Sequence, residues 1–174
     1  MKVDLLSLIL PKSSSFELRE NHHNRTTAED INHILGTSNL NRKEYNLLLM
    51  KYIDDNSSRS SLFDELFDET CEIFLKKEMP KEQGLIRKFL NTAIVESVVE
   101  RCFVCNGTGV IKTTSSIEDC VHCNKGMFVY DDQVRSHMMK ISKKVFLKYK
   151  KQYNQIIEKI NQIEISALSK IGDV

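Results

Sequence analysis

Four of the chain's five cysteines, Cys102, Cys105, Cys120 and Cys123, stand in the spacing C-x2-C-x14-C-x2-C. Two such pairs bring four thiolates to one point only if the chain between them doubles back. A tetrahedral zinc ion asks for this arrangement, with each sulfur about 2.3 Å from the metal and two ligands supplied by each C-x2-C turn. Gly107 and Gly109 follow the first pair and Gly126 the second, where a knuckle needs backbone that reaches positive φ at little cost. Between the pairs, VIKTTSSIED has β-branched residues at one end and a polar middle, the pattern of a short two-stranded hairpin. The expectation is a structural Zn2+ held by Cys102, Cys105, Cys120 and Cys123, with no open coordination position and so no chemistry at the metal. In a module this small the metal supplies folding free energy that the hairpin's own core cannot. A thioredoxin-like redox pair and disulfides are the competing readings; the first lacks a βαβ context and the second suits an oxidising compartment. His122 and His137 lie near the cluster in sequence, and with four cysteines present they are read as supporting or surface groups.

The length of 174 residues suits one modest domain, or a core domain with short appendages, and excludes a large multidomain enzyme. With 41% apolar and 28% charged residues the chain reads as an ordinary globular protein. The opening MKVDLLSLILPK carries Asp4, a short apolar run and no small-residue cleavage site, so a secretory signal is not expected. With no stretch near the ~20 apolar residues of a membrane helix, the expected location is the cytoplasm, with no membrane partner. No glycine-rich phosphate loop, catalytic triad or carboxylate–histidine cluster appears, and the chain is not read as an enzyme.

Helix punctuation fills most of the rest. Residues 1–25 are read as a partly flexible arm, with His22 and His23 exposed in it. Thr26 with Glu29, and Asn41 with Glu44, have capping-box spacing, and Gly36 stands where the first helix would stop. Ser61 with Asp64 opens a segment whose apolar residues recur at helical spacing; Cys71 within it is read as core filler. Pro80 breaks that helix, and another with a broad apolar stripe runs over 82–100 into Cys102. After the cysteines, Asp131 or Asp132 caps one helix and Ser142 the next. In the last, Phe146, Tyr149, Tyr153, Ile156, Ile160 and Ile163 form a heptad-like seam. The expected fold is mostly α, with helix-turn-helix-like elements and an inserted four-cysteine zinc β-ribbon: a helical region at 26–100, the ribbon at 101–130 and basic helices at 131–174.

Net charge is only +1, but it is unevenly spread. Residues 54–79 hold eight acids against three bases, and residues 132–160 eight bases against two acids. The basic end suits an anionic partner such as nucleic acid; the competing reading is two solvated helix faces of opposite sign. Lys144, Lys148 and Lys151 share a helix face apart from the apolar seam. The residues read as contacting double-stranded DNA are Arg135, Lys140, Ser142, Lys143, Lys144, Lys148, Lys150 and Lys151. A recognition helix needs base-reading side chains near its start and lysines flanking phosphates, and Ser142, Lys143, Lys144, Lys148 and Lys151 fit by type and position.

CFVCNGTG resembles the C-x-x-C-x-G-x-G knuckle of heat-shock chaperones of the DnaJ type, where it occurs four times; here it occurs once, and no HPD tripeptide precedes it. Over residues 82–160 the chain more closely resembles the lambda-type phage late-gene antitermination protein Q family. The shared order is a helix ending before C-x-x-C-x-G-x-G, a ribbon, a second C-x-x-C, and a helix-turn-helix-like pair with Tyr149, Lys150 and Tyr153 in its second helix. Gln152 stands where that family often has proline, and the second cysteine pair lacks the full x-G-x-G. The resemblance implies a factor in the host bacterial cytoplasm that binds a late-promoter DNA element and engages bacterial RNA polymerase, which then ignores terminators. The alternative is an adaptor whose ribbon grips a polypeptide without DNA, the apolar seam serving a partner helix or dimer.

Overall fold

In a computed structural model of the chain, residues 28–53, 55–75, 83–99, 102, 104–105, 107–112, 116–121 and 123–172 are described. Among them are six helices: α1 Ala28–Thr37, α2 Arg42–Ile53, α3 Ser58–Leu75, α4 Gln83–Val98, α5 Asp132–Met138 and α6 Lys143–Gly172. Four short strands lie between α4 and α5: β1 Val110–Lys112, β2 Ile117–Asp119, β3 Cys123–Asn124 and β4 Met127–Phe128. The mostly helical expectation holds. The proposed arm at 1–25, the Thr26 cap, Pro80, His22, His23 and His122 lie outside the described residues. Two compact units emerge, Met1–Glu65 with Asn161–Val174, and Leu66–Ile160. The ribbon belongs to the second, whereas 26–100 and 131–174 each contribute to both.

In the first unit, Asn41 and Glu44 form the capping box that their spacing predicts. The Asn41 N–H donates to Glu44 Oε2 at 2.8 Å, and the Glu44 N–H to Asn41 Oδ1 at 3.0 Å. Glu44 does more than cap. Its carboxylate is buried and accepts from Lys170 Nζ at 2.8 and 2.7 Å and from Ser166 Oγ at 2.7 Å. Nearby, Lys51 Nζ and the Tyr52 hydroxyl both donate to Glu164. These polar ties flank a core of Leu35, Leu48, Ala167 and Ile171. Two helix ends differ from expectation. α1 passes through Gly36 and stops where the Thr37 and Ser38 hydroxyls bond back to His33 and Ile34 carbonyls, competing with continued helix. α3 begins at Ser58, three residues before Ser61, because the Asp55 carboxylate accepts from the Ser57 N–H at 3.0 Å and from the Ser57 and Ser58 hydroxyls at 2.6 Å each.

The second unit is built on aromatics. Phe89 on α4 meets Phe74 on α3 with ring centres 5.4 Å apart, and meets Phe146 and Tyr153 on α6 at 6.1 and 6.0 Å. Each fully buried ring adds about 1.5–3 kcal/mol through burial and somewhat more through edge-to-face contact. The seam from Phe146 through Ile160 is therefore core of its own chain, with Phe146 and Tyr153 fully buried, and is not free for a partner helix. Of the acidic segment, Glu69 pairs with Lys159, while Asp64, Asp68 and Glu72 are exposed.

Candidate metal centre and the basic helix beyond it

The two cysteine knuckles close on each other reciprocally. The Cys102 N–H donates to the Gly126 carbonyl at 2.8 Å, and the Cys120 N–H to the Gly109 carbonyl at 2.8 Å. Gly107, Gly109 and Gly126 all have positive φ, at 80°, 78° and 93°. Gly126 has a second reason to be glycine: a Cβ there would overlap the Gly107 carbonyl. Between the knuckles β1 and β2 pair antiparallel, Val110 opposite Asp119 and Lys112 opposite Ile117, as the sequence predicts. A further hairpin was not anticipated. Cys123 pairs with Phe128 and Asn124 with Met127 around Lys125 and Gly126, both at positive φ as a tight primed turn requires. The signal was the Asn-Lys-Gly run after Cys123.

This scaffold gathers the four sulfurs. Cys102 Sγ lies 3.9 Å from Cys120 Sγ and Cys105 Sγ 3.6 Å from Cys123 Sγ, and all four fall within 4.8 Å of one another. A tetrahedron with bonds of about 2.3 Å has edges of about 3.8 Å, so the thiols fit one metal ion of that size. All five cysteines are free thiols. Burial alone would raise the Cys105 thiol, but hydrogen bonds from the Gly109 N–H and from the Cys123 and Cys102 thiols outweigh it and bring it down to about 6. Cys123 is pushed up to about 12 by burial and by its bonds to Cys105, Cys120 and Cys102. The pocket thus favours one thiolate and resists the next. A bound dication reverses that resistance and holds coordinating thiols deprotonated. Four protein sulfurs would fill the tetrahedral shell of one such ion. Cys71 is half-buried on α3 and stands outside this group; its thiol is raised by burial and by Asp68. His137 is exposed and likewise outside it.

The ribbon's stem is tied at both ends. The Tyr130 hydroxyl donates to the Val99 carbonyl at 2.8 Å, joining the exit of the ribbon to the end of α4. Burial, and then Glu96, push the Tyr130 phenol up to about 12, so it remains a donor. Glu96 accepts from Arg135 Nε at 2.9 Å, from Arg135 Nη2 at 2.6 Å and from the Tyr153 hydroxyl at 2.6 Å. A carboxylate inside the apolar stripe of α4 was the available sign of this site.

The expected DNA-contacting residues divide into two groups. Arg135 has its guanidinium committed to Glu96, and Lys150 donates to Asp132 at 2.7 Å. Both are structural ties. Lys140, Ser142, Lys143, Lys144, Lys148 and Lys151 are exposed. Lys148 Nζ lies 5.1 Å from the Tyr149 ring centre. The Ser142 hydroxyl accepts from the Val145 N–H at 3.3 Å and so caps α6. Asp131, not Asp132, caps α5, accepting from the Gln133 and Val134 N–H groups. The turn between the helices is a Schellman closure: the Lys140 N–H donates to His137 and the Ile141 N–H to Ser136, with Lys140 at φ 52° in the glycine position.

No protein-family model, curated protein or solved structure matches the chain. Among the described residues, no helix is long and apolar enough to cross a membrane.

Proposed function

We propose that the chain is a zinc-containing DNA-binding factor that acts in transcription antitermination in the bacterial cytoplasm, as the lambda-type Q resemblance implies. The observation that carries this reading is a closed four-thiol cluster whose stem is hydrogen-bonded to α4, with α5 and an exposed lysine face on α6 directly following. Zn2+ fits the ligand chemistry best, since four thiolates in a tetrahedral shell select zinc or iron–sulfur over hard cations. The pair α5 and α6, joined by residues 139–142, serves as a helix-turn-helix-like element, its second helix presenting Lys143, Lys144, Lys148 and Lys151 to a duplex. Lysine contacts to phosphates supply affinity and register, and each neutralised phosphate steepens the salt dependence. RNA polymerase is the protein partner, and the exposed acids Asp64, Asp68 and Glu72 suit a basic surface on it. The protein is a binding factor and not an enzyme.

Transcription in vitro tests the function. With purified protein, host polymerase, the cognate late promoter and a downstream terminator, readthrough should require both the promoter element and the metal. No readthrough on that template overturns the proposal.

One observation favours the adaptor as a second reading. The ribbon exposes Val104, Ile117, Val121, Met127 and Val129, with Val121 at 86% exposure, apolar side chains available to a polypeptide. Retention of polypeptides with no affinity for any duplex would select it.

A further inference from the structure

The DNA-facing lysines read from sequence all lie on or beside α6, but α4 brings another cation to the same place. The Lys88 side chain is exposed, and its ammonium makes no ion pair or hydrogen bond with another described residue. It lines an open depression of about 730 Å³ together with Ile141 and Ser142 of the connection before α6, Val145 of α6, and Leu85 from its own helix. Among the described residues of that lining, Lys88 is the only charged one. On α6, Lys144 and Lys148 share one face, and Val145, a step of about 100° further round, directs the neighbouring flank into the depression.

A helix lying in a major groove about 12 Å wide is bordered on each side by a sugar–phosphate strand. Residues on the helix reach bases, and cations standing off its flank, on another element, reach those strands. We propose that the depression between α4 and the start of α6 receives one sugar–phosphate strand of double-stranded DNA. Lys88 contacts a phosphate there, and Leu85, Ile141 and Val145 lie against the sugars. The inference rests on the DNA-binding reading and adds a contact from outside the helix-turn-helix-like pair.

The test uses the full metal-loaded chain and a fluorescent duplex of mixed sequence, because a phosphate contact is independent of sequence. Affinity is followed against salt, with polyglutamate as a competing anion. Lys88→Ala should lower the slope of log affinity against log salt by about 0.9. Lys88→Arg should retain the wild-type slope, and both variants should keep wild-type metal content and melting temperature. If the wild type binds and Lys88→Ala leaves its slope unchanged, the inference is overturned while the DNA reading stands. If the wild type binds no duplex, or takes polyglutamate in its place, the DNA reading fails and the inference with it.

Discussion

Arg135 grips Glu96 through two parallel hydrogen bonds of 2.9 and 2.6 Å, although 39 residues separate them and the whole ribbon lies between. Glu96 belongs to the helix entering the ribbon and Arg135 to the helix leaving it. Both side chains are largely buried, at 13% and 20% exposure, and without Glu96 the Arg135 guanidinium keeps only the longer 3.6 Å ion pair to Asp132. Glu96→Ala should destabilise the fold by about 3 kcal/mol. Adding Arg135→Met should recover part of that loss, because the cation left with the weaker Asp132 contact goes with it. Urea denaturation of the two single variants and the double variant measures the coupling; strictly additive losses would contradict a direct pair.

Gly126 and Gly36 should respond to alanine with opposite signs. At Gly126 the φ of 93° and the Gly107 carbonyl both oppose a side chain, so Gly126→Ala should cost more than about 1–2 kcal/mol and weaken metal retention against a chelator. Gly36 lies within α1 with open space around it, and alanine there should stabilise by about 0.5–1 kcal/mol. Competition with a chelator and thermal melting of the two variants compare these effects.

Acid should weaken the first unit through Glu44. Burial opposes its ionisation, but bonds from Lys170, the Asn41 N–H and Ser166 prevail and hold the carboxyl below its ordinary 4.5. A carboxylate with a depressed folded-state pKa stabilises fully above its unfolded value, and the contribution is lost as pH falls through the folded value. Wild-type stability should therefore decline as pH drops below 4.5. Glu44→Gln should be less stable at neutral pH by about 1.5–3 kcal/mol and show a shallower decline in acid. Parallel pH profiles from urea midpoints would refute this role.

Much of the local chemistry was legible in the sequence, the Gly36 and Ser61 helix ends and the Cys123–Phe128 hairpin excepted, and distant pairing was not. The knuckle glycines, the β1–β2 hairpin, the Asn41–Glu44 box and the Asp131 cap each depend on residues within a few positions of one another, and each appears as spacing predicts. Glu44 with Lys170, 126 positions apart, carries no such mark. The same limit governs the basic segment. Arg135 and Lys150 look like their neighbours in sequence, yet Glu96 and Asp132 claim them, while Lys88 reaches the α6 flank from another helix. Lys140 occupies a left-handed turn position that sequence rules would give to glycine.

The central claim is a single metal ion held by Cys102, Cys105, Cys120 and Cys123, and elemental analysis of the purified full chain by mass spectrometry, beside a variant with these four changed to serine, tests it most directly. One zinc per chain in the wild type is predicted, with none in the variant and a ribbon that no longer folds. A wild type free of stoichiometric metal, with a serine variant that melts at the same temperature, would contradict it.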